Sequence, residues 1–312
     1  MTTFAFVFPG QGSQAVGMLD AWGGDAAVRQ TLQEASDALG EDVGQLIHAG
    51  PKEQLDLTTN TQPVMLTAGI ACYRAWLAET GMVPSVVAGH SLGEYTALVA
   101  AGSLTLADAL PLVRYRAQAM QDAVPVGVGA MAAILGMDAQ AVREGCLEVA
   151  AATGEAVEAV NFNDPKQTVI AGTKAGVEKA CEVLKAKGAK RALPLPVSAP
   201  FHSSLMKPAA ERLKGRLAET NFAVPKIDVV NNIDVKVETD AVAIRDALYR
   251  QAFGPVRWVE TVQAIRARGV THLIECGPGK VLAGMVKRID ADAISATVLD
   301  PATMADVKGL LA

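Results

Sequence analysis

Serine, histidine and glycine meet in one short segment, Gly89-His90-Ser91-Leu92-Gly93, with an apolar run, Ser85-Val-Val-Ala88, leading in and a helical stretch, residues 94–101, leading out. A Gly-x-Ser-x-Gly turn between strand and helix exposes its serine on a strained elbow, and small neighbours let the flanking segments approach. The chemistry of such a serine is covalent: its hydroxyl attacks an acyl group and carries it as an ester. The dipole of the helix behind it favours the negative charge that develops. An ordinary turn or N-cap serine would look the same in isolation, so the surrounding residues must decide.

A serine hydroxyl needs a base with a pKa near neutrality, which makes the four histidines the candidates. His48 and His272 read as structural. His90 adjoins the serine, and side chains diverge at an elbow. That leaves His202, in Ser198-Ala-Pro-Phe-His202-Ser-Ser, a loop of the kind that presents catalytic groups, with a solvated loop histidine as the alternative. No acid between Ser91 and His202 stands out from helix-surface charge, so the group that orients the base stays open. An oxyanion hole needs two backbone amides, one from Leu92 and one from a loop after another strand, and Pro9-Gly10-Gln11-Gly12-Ser13-Gln14 supplies such a loop. The same loop matches a dinucleotide fingerprint, Gly10-x-Gly12-x-x-Ala15. That fingerprint calls for a strand ending in an acid about 20 residues on, whereas residues 26–39 read as a polar helix containing Glu34.

The elements that must position these groups alternate. Phe4-Ala-Phe-Val-Phe8 and Ser85-Val-Val-Ala88 read as buried strands. Residues 53–60 are polar and turn-like, Pro63 could open a helix through Trp76, and residues 106–122 carry helical apolar spacing at Leu106, Leu110, Val113, Ala117 and Met120. Strand and helix in turn predict a parallel sheet. Past residue 124 the pattern changes to strand 130–135, helix 138–151, strands 156–161 and 168–171, helix 174–187, and a Pro-interrupted edge strand 191–197. This is the βαββαβ order of the ferredoxin-like split motif. The larger pattern then resumes with helix 205–220, strand 227–231, helix 241–251, and strands 272–276 and 294–299. The expectation is an α/β protein with a large domain from residues 1–124 and 199–312, interrupted by a small α+β insertion at 125–198.

Composition agrees with an enzyme of this class. At 312 residues the chain exceeds an ordinary domain of about 100 to 200 residues. Half of it is hydrophobic but only 4% aromatic, so the core must be built from Ala, Val, Leu and Ile. A net charge of -5, from 28 basic and 33 acidic residues, argues against a nucleic-acid binder. Cys72, Cys146, Cys181 and Cys276 are too scattered for a disulfide framework or a zinc site; no metal is expected, and they read as small core residues. Residues 1–8 carry no positive charge and run straight into Pro9-Gly10, unlike a signal peptide. The apolar stretch 83–113 is broken by His90, Glu94 and Asp108, short of the roughly 18 to 20 apolar residues that span a bilayer. A soluble, cytoplasmic protein without membrane contact is expected.

Several motifs carry a resemblance when taken in order: Gly10-Gln-Gly-Ser-Gln14, Thr61-Gln62-Pro63, Gly89-His-Ser-Leu-Gly93, Asn161-x-Asn163-x-Pro165-x-Gln167, Pro200-Phe-His202 and Glu275-Cys-Gly-Pro-Gly279. Over nearly the whole chain it resembles the malonyl-CoA:acyl carrier protein transacylases, an acyltransferase family of fatty acid and polyketide synthesis. The resemblance implies a large α/β-hydrolase-like domain with a parallel sheet and a small inserted ferredoxin-like domain. It implies Ser91 as the acylated nucleophile, His202 as its base, and the amides of Gln11 and Leu92 as the oxyanion hole. Gln251, in Tyr249-Arg-Gln-Ala-Phe-Gly-Pro-Val-Arg-Trp258, would orient the histidine through its backbone carbonyl in place of a carboxylate.

The resemblance also implies a substrate site with Gln62, Asn161, Phe201 and, in the acyl pocket, Arg116. Ala117 stands where members often have Gly, which bears on the pocket's width. A guanidinium fork can bind the free carboxylate of malonyl bidentately. The residues alone do not choose Arg116 over Arg114. Phe201 resembles malonyl-selecting relatives, with ordinary packing as the alternative.

The implied reaction is a ping-pong exchange. Malonyl passes from malonyl-CoA, a coenzyme A thioester acting as substrate with no permanently bound cofactor, to Ser91 and then to the phosphopantetheine thiol of acyl carrier protein. Carrier proteins are acidic, so Lys190, Arg191, Lys287 and Arg288 are candidates for a basic docking rim, or else plain solvated charge. A serine thioesterase releasing the acyl group to water would share Ser91 and His202, whereas a noncatalytic carrier-binding module would need neither. A monomer is expected, and the chain's length favours a discrete component of fatty acid synthesis.

Overall fold

The computed structural model of this chain describes residues 3–197 and 199–312; Met1 and Thr2, ahead of the first strand, and Ser198, at the end of the expected insertion, lie outside the described residues. Two sheets organise the rest. In the larger, β1 (Phe4–Phe8), β2 (Val86–Gly89), β7 (Asp228–Val230), β8 (His272–Cys276) and β9 (Ile294–Val298) run parallel in the order β7-β2-β1-β8-β9. The unbroken apolar run of β1 has its cause in this position: the central strand is buried along its whole length, covered on both faces.

Side-chain alternation divides those faces. Phe4, Phe6 and Phe8 point into a core shared with the helix Thr58–Thr80, where Phe6 packs edge-on against Trp76 at 5.5 Å and Tyr73 at 6.0 Å. Ala5 and Val7 point the other way, toward Trp258, Val262 and Val286 on the helices Trp258–Ala267 and Val281–Ile289. Sequence reading did not assign these two helices. It also began the long helix too late, because the chain is already helical at Thr58, and Thr61 N–H bonds Leu57 O at 2.7 Å to close the first turn before Pro63. The supposedly turn-like residues before it include the short helix Lys52–Leu55.

The smaller sheet contains β3 (Gly129–Leu135), β4 (Val157–Asp164), β5 (Gln167–Thr173) and β6 (Arg191–Pro194), all neighbours antiparallel, in the order β4-β5-β3-β6. Helices Ala139–Thr153 and Lys174–Ala186 cover one face around Ile134, Val142 and Leu184. The other face presents Met131, Ala133 and Val169 toward the larger sheet. β6 is an edge strand, where Pro194 costs no interior ladder bond. Backbone bonds between β4 and the segment after the helix Ala241–Gln251 tie the units together: Phe162 N–H to Val256 O at 2.9 Å and Val256 N–H to Val160 O at 2.8 Å. Cys72, Cys146 and Cys276 are buried as expected of core residues, whereas Cys181 is only half-buried. Among the described residues no helix is long and apolar enough to cross a membrane.

Candidate active site

The carboxyl ends of β1 and β2, where open α/β sheets gather their ligands, lie side by side under the apolar face of the smaller sheet. Between them is a cleft of about 320 Å³. Gly89 ends β2 and Gly93 opens the helix Gly93–Ala100. A Cβ on Gly89 would sit 1.9 Å from the Gly93 backbone, and one on Gly93 would sit 2.1 Å from Phe8 O, so only glycine allows this turn. The tight turn drives Ser91 to φ +53°, a conformation that costs a non-glycine residue about 1–3 kcal/mol and that persists where surrounding structure enforces it.

Enforcement here comes from Asn232, just after β7. Its Oδ1 accepts from Ser91 N–H at 2.7 Å, and its Nδ2 donates to Gly89 O at 2.7 Å. Ser91 N–H is thereby occupied. The amides of Gln11 and Leu92, two residues that line the cleft, donate to no protein acceptor among the described residues and are free for an oxyanion. The Gln11 loop is itself held: Gly12 N–H bonds Gln14 Oε1 at 2.7 Å, Gln14 Nε2 bonds Asp56 Oδ1 at 2.9 Å, and Gln11 Nε2 bonds Thr58 Oγ1 at 3.2 Å.

Ser91 Oγ lies 2.7 Å from His202 Nε2. The other ring nitrogen, Nδ1, lies 2.9 Å from the carbonyl of Gln251 and 3.2 Å from that of Gly254. Carbonyls only accept, so Nδ1 carries the proton and Nε2 presents its lone pair to the serine. Gln251 is the last residue of its helix, and the final carbonyls of a helix lack intrahelical partners, which leaves this one available. Arg250, held bidentately by Asp234 at 2.7 and 2.6 Å, anchors the helix end. Burial, and secondarily the positive charge of Arg116, push the His202 pKa down to about 3, so the ring is neutral and able to take a proton.

Arg116 is 2% exposed, and no carboxylate pairs with it among the described residues. Its Nη1 donates to Gln62 Oε1 at 2.7 Å, and its Nη2 donates to Gln251 Oε1 at 3.0 Å and to Ser91 Oγ at 3.2 Å. Nε has no partner among the described residues, and the guanidinium lies 5.4 Å from the centre of the Tyr95 ring. Burial pulls its pKa below the usual value. A buried cation met only by amide and hydroxyl oxygens is costly and is suited to an anionic ligand. Arg114, the other arginine of this segment, instead pairs with Glu41 at the surface. Ala117 is buried but does not line the cleft.

Asn161 and Phe201 line the cleft, as do Met131, Val169 and Leu195. Of the rim candidates, Lys190 just before β6 and Arg191 at its start are exposed, and Lys287 and Arg288 are exposed on the helix Val281–Ile289, whose first residues do line the cleft. None of the four lines it, and Arg288 is partly neutralised by Asp164 at 2.6 Å. His90, set aside as base, faces Asn163 Oδ1 at 2.8 Å and stacks obliquely on Trp258. His48 pairs with Asp20 at the surface, and His272 with Thr271. Glu34 lies within a helix and pairs with Arg74, unlike the strand-end acid of a dinucleotide site. Sequence reasoning missed Asn232 and Glu94. Glu94 did have a signal, as one of the few ionisable residues in an apolar stretch.

Comparison with known proteins places this arrangement among others. A family model described as an acyl transferase domain matches residues 5–309. The chain is 54% identical, over 97% of its length and 98% of the relative's, to the malonyl CoA-acyl carrier protein transacylase of Salmonella typhimurium. An acyl-carrier-protein S-malonyltransferase from Burkholderia pseudomallei superposes with a TM-score of 0.96 at 67% identity, covering 98% of this chain and 99% of that one. A malonyl-transacylase solved in complex with a type II PKS acyl-carrier protein superposes with a TM-score of 0.95 at 50% identity, covering 97% and 98%.

Proposed function

The chain belongs to the acyl transferase domain family, and from that premise we infer that it transfers malonyl from malonyl-CoA to acyl carrier protein as part of fatty acid synthesis. One observation carries the inference to residues: a serine–histidine–carbonyl relay opens into the same cleft as a buried arginine that pairs with no carboxylate among the described residues. An acyl group bearing a carboxylate supplies what the arginine lacks.

In this reading Ser91 Oγ attacks the thioester carbonyl while its proton passes to His202 Nε2. The oxyanion accepts from the amides of Gln11 and Leu92. As the C–S bond breaks, the leaving thiolate takes the proton from His202, and the malonyl ester remains on Ser91. The carrier-protein thiol then gives its proton to His202 and attacks the ester, and Ser91 recovers its proton. Through both steps Gln251 O keeps Nδ1 protonated, while Arg116, with Gln62 and Gln251 beside it, holds the malonyl carboxylate. Asn161 and Phe201 bound the acyl and pantetheine path.

Lys190, Arg191 and Lys287 form the rim offered to the acidic carrier, with Arg288 contributing less because of Asp164. A monomer is the simplest assembly for this reading, because the relay as described needs no second chain. The strand order of the smaller sheet supports reading residues 125–198 as a ferredoxin-like insertion into a hydrolase-like domain of residues 1–124 and 199–312. Intact-protein mass spectrometry after incubation with malonyl-CoA tests the reaction. A malonyl adduct on Ser91 that persists until carrier protein is added is the expected result; no adduct, or rapid loss of it to water, would indicate a thioesterase or a noncatalytic module instead.

A further inference from the structure

Glu94 is 2% exposed on the first turn of the helix behind Ser91, where burying a carboxyl group is costly unless its oxygens are met. One oxygen, Oε2, accepts from two elements that both reach the site: Asn232 N–H at 2.9 Å and Gln251 Nε2 at 3.0 Å. Asn232 holds the elbow of Ser91, and Gln251 carries both the carbonyl bonded to His202 and the amide oxygen bonded to Arg116. A single carboxyl oxygen thus sits where the supports of nucleophile, base and pocket cation converge.

The orientation of the Gln251 amide is the decisive detail. Its Nε2 donates to Ser91 O at 2.9 Å and to Glu94, which leaves Oε1 to face Arg116 at 3.0 Å. Turned over, the amide would aim its own donors at a guanidinium that only donates, and its oxygen at two acceptors. Ser91 O is one acceptor and Glu94 is the other, so removing Glu94 leaves one Nε2 proton buried without a partner and frees the amide to turn. We propose that Glu94 is a positioning residue for malonyl selection, fixing the Gln251 amide so that Arg116 is held where it meets the malonyl carboxylate. The proposal rests on the transferase reading above and adds a determinant of its specificity. Burial pushes the Glu94 carboxyl pKa up to about 7, opposed by Asn232, Gln251 and Arg116 and aided by Asp234. Oε2 can accept in either protonation state, and the oxygen of a glutamine could do the same.

The test is competition between malonyl-CoA and acetyl-CoA for Ser91, read by intact-protein mass spectrometry, in the wild type and in Glu94→Gln and Glu94→Met. The wild type should take malonyl preferentially; if it takes none, the transferase reading fails and the proposal falls with it. Glu94→Met keeps the length but removes the acceptor, and should lose at least about tenfold of the malonyl preference, with KM for malonyl-CoA raised and KM for acetyl-CoA little changed. Glu94→Gln should restore the preference to within about threefold. A folded Met variant with unchanged preference, or a Gln variant as indiscriminate as Met, overturns the proposal while leaving the transferase reading intact. A purely structural tie would lower the melting temperature and both activities together without moving their ratio. If Glu94→Met does not fold, Glu94→Asp, whose shorter side chain withdraws the oxygen from Gln251, takes its place under the same criteria.

Discussion

The floor and the wall of the cleft are built on opposite plans. The floor, carried by the ends of β1, β2 and the helix Ala241–Gln251, buries a neutral histidine, an arginine and a glutamate in one hydrogen-bonded network. The wall, carried by the smaller sheet, presents an apolar patch of Met131, Ala133 and Val169, bordered by Asn161 and Asn163 of β4 and Gln167 of β5. Directional bonds in a low-dielectric floor discriminate charge and place a proton, whereas apolar contact only discriminates size. The comparison therefore predicts that floor substitutions change what is transferred or whether anything is, and that substitutions in the apolar patch of the wall scale all substrates alike.

The largest effect should come from Ser91→Ala, which removes the acyl acceptor. Transfer to carrier protein should fall by about 10⁶-fold, as when a nucleophile is deleted from a relay that acts as a unit, with no adduct in the mass spectrum. Residual transfer above about 10⁻³ of wild type would detach the floor from the chemistry. Next comes Arg116→Ala. Losing one side of a buried ion pair costs about 3–5 kcal/mol, or two to four decades in kcat/KM for malonyl-CoA, with acetyl-CoA nearly unaffected or improved. Equal losses for the two thioesters would show that the arginine supports the fold of the floor and does not read the carboxylate.

Legibility in the sequence divides along the same line. The elbow could be read because glycine, serine and glycine at fixed spacing between a strand and a helix have one mechanical meaning, and residues 106–122 because Leu106, Leu110, Val113, Ala117 and Met120 recur with helical period. The contact that orients His202 could not, since any residue type has a carbonyl; only the end of a helix frees this one, 49 positions along the chain. Gln251 entered through resemblance, and even then its side-chain bond to Arg116 did not. Helices Trp258–Ala267 and Val281–Ile289, which cover β1, were not legible because neither has a capping side chain at its N-terminus, where Arg257 and Lys280 stand. Asn232 gave no signal at all, as its importance lies in a backbone it reaches across the sheet.

A wall substitution gives a smaller effect. Val169→Ala removes two methyl groups from the cleft face of β5, worth about 1.6 kcal/mol of apolar contact, or roughly tenfold in kcat/KM. The ratio of malonyl to acetyl transfer should stay within about twofold, because acetyl has no charge and the malonyl carboxylate is held at Arg116, away from this surface. A ratio shifted by a decade would mean that the wall helps to position Arg116 or the carboxylate, and the division of labour would be lost.

The smallest expected effect is the absence of one. A general base works only while neutral, and an isolated imidazole would begin to protonate as pH falls through 6.5. His202 is held down to about 3, first by burial and then by the Arg116 cation. A lowered pKa moves the acidic limb of the rate profile to lower pH, so kcat/KM, which reports the free enzyme, should be flat within about twofold from pH 8 to 5.5 once ionisation of the substrate's own phosphates is subtracted. The acidic limb of kcat should lie higher than that of kcat/KM, because a bound malonyl carboxylate offsets the cation that helps to depress the base. Arg116→Ala should raise the limb in kcat/KM by removing the same cation, but only in part, since burial is the larger cause. A free-enzyme limb centred at 6.5 that persists in Glu94→Gln, which removes the other floor group titrating near there, would show the histidine to be solvated, and the floor to be as open to water as the rim.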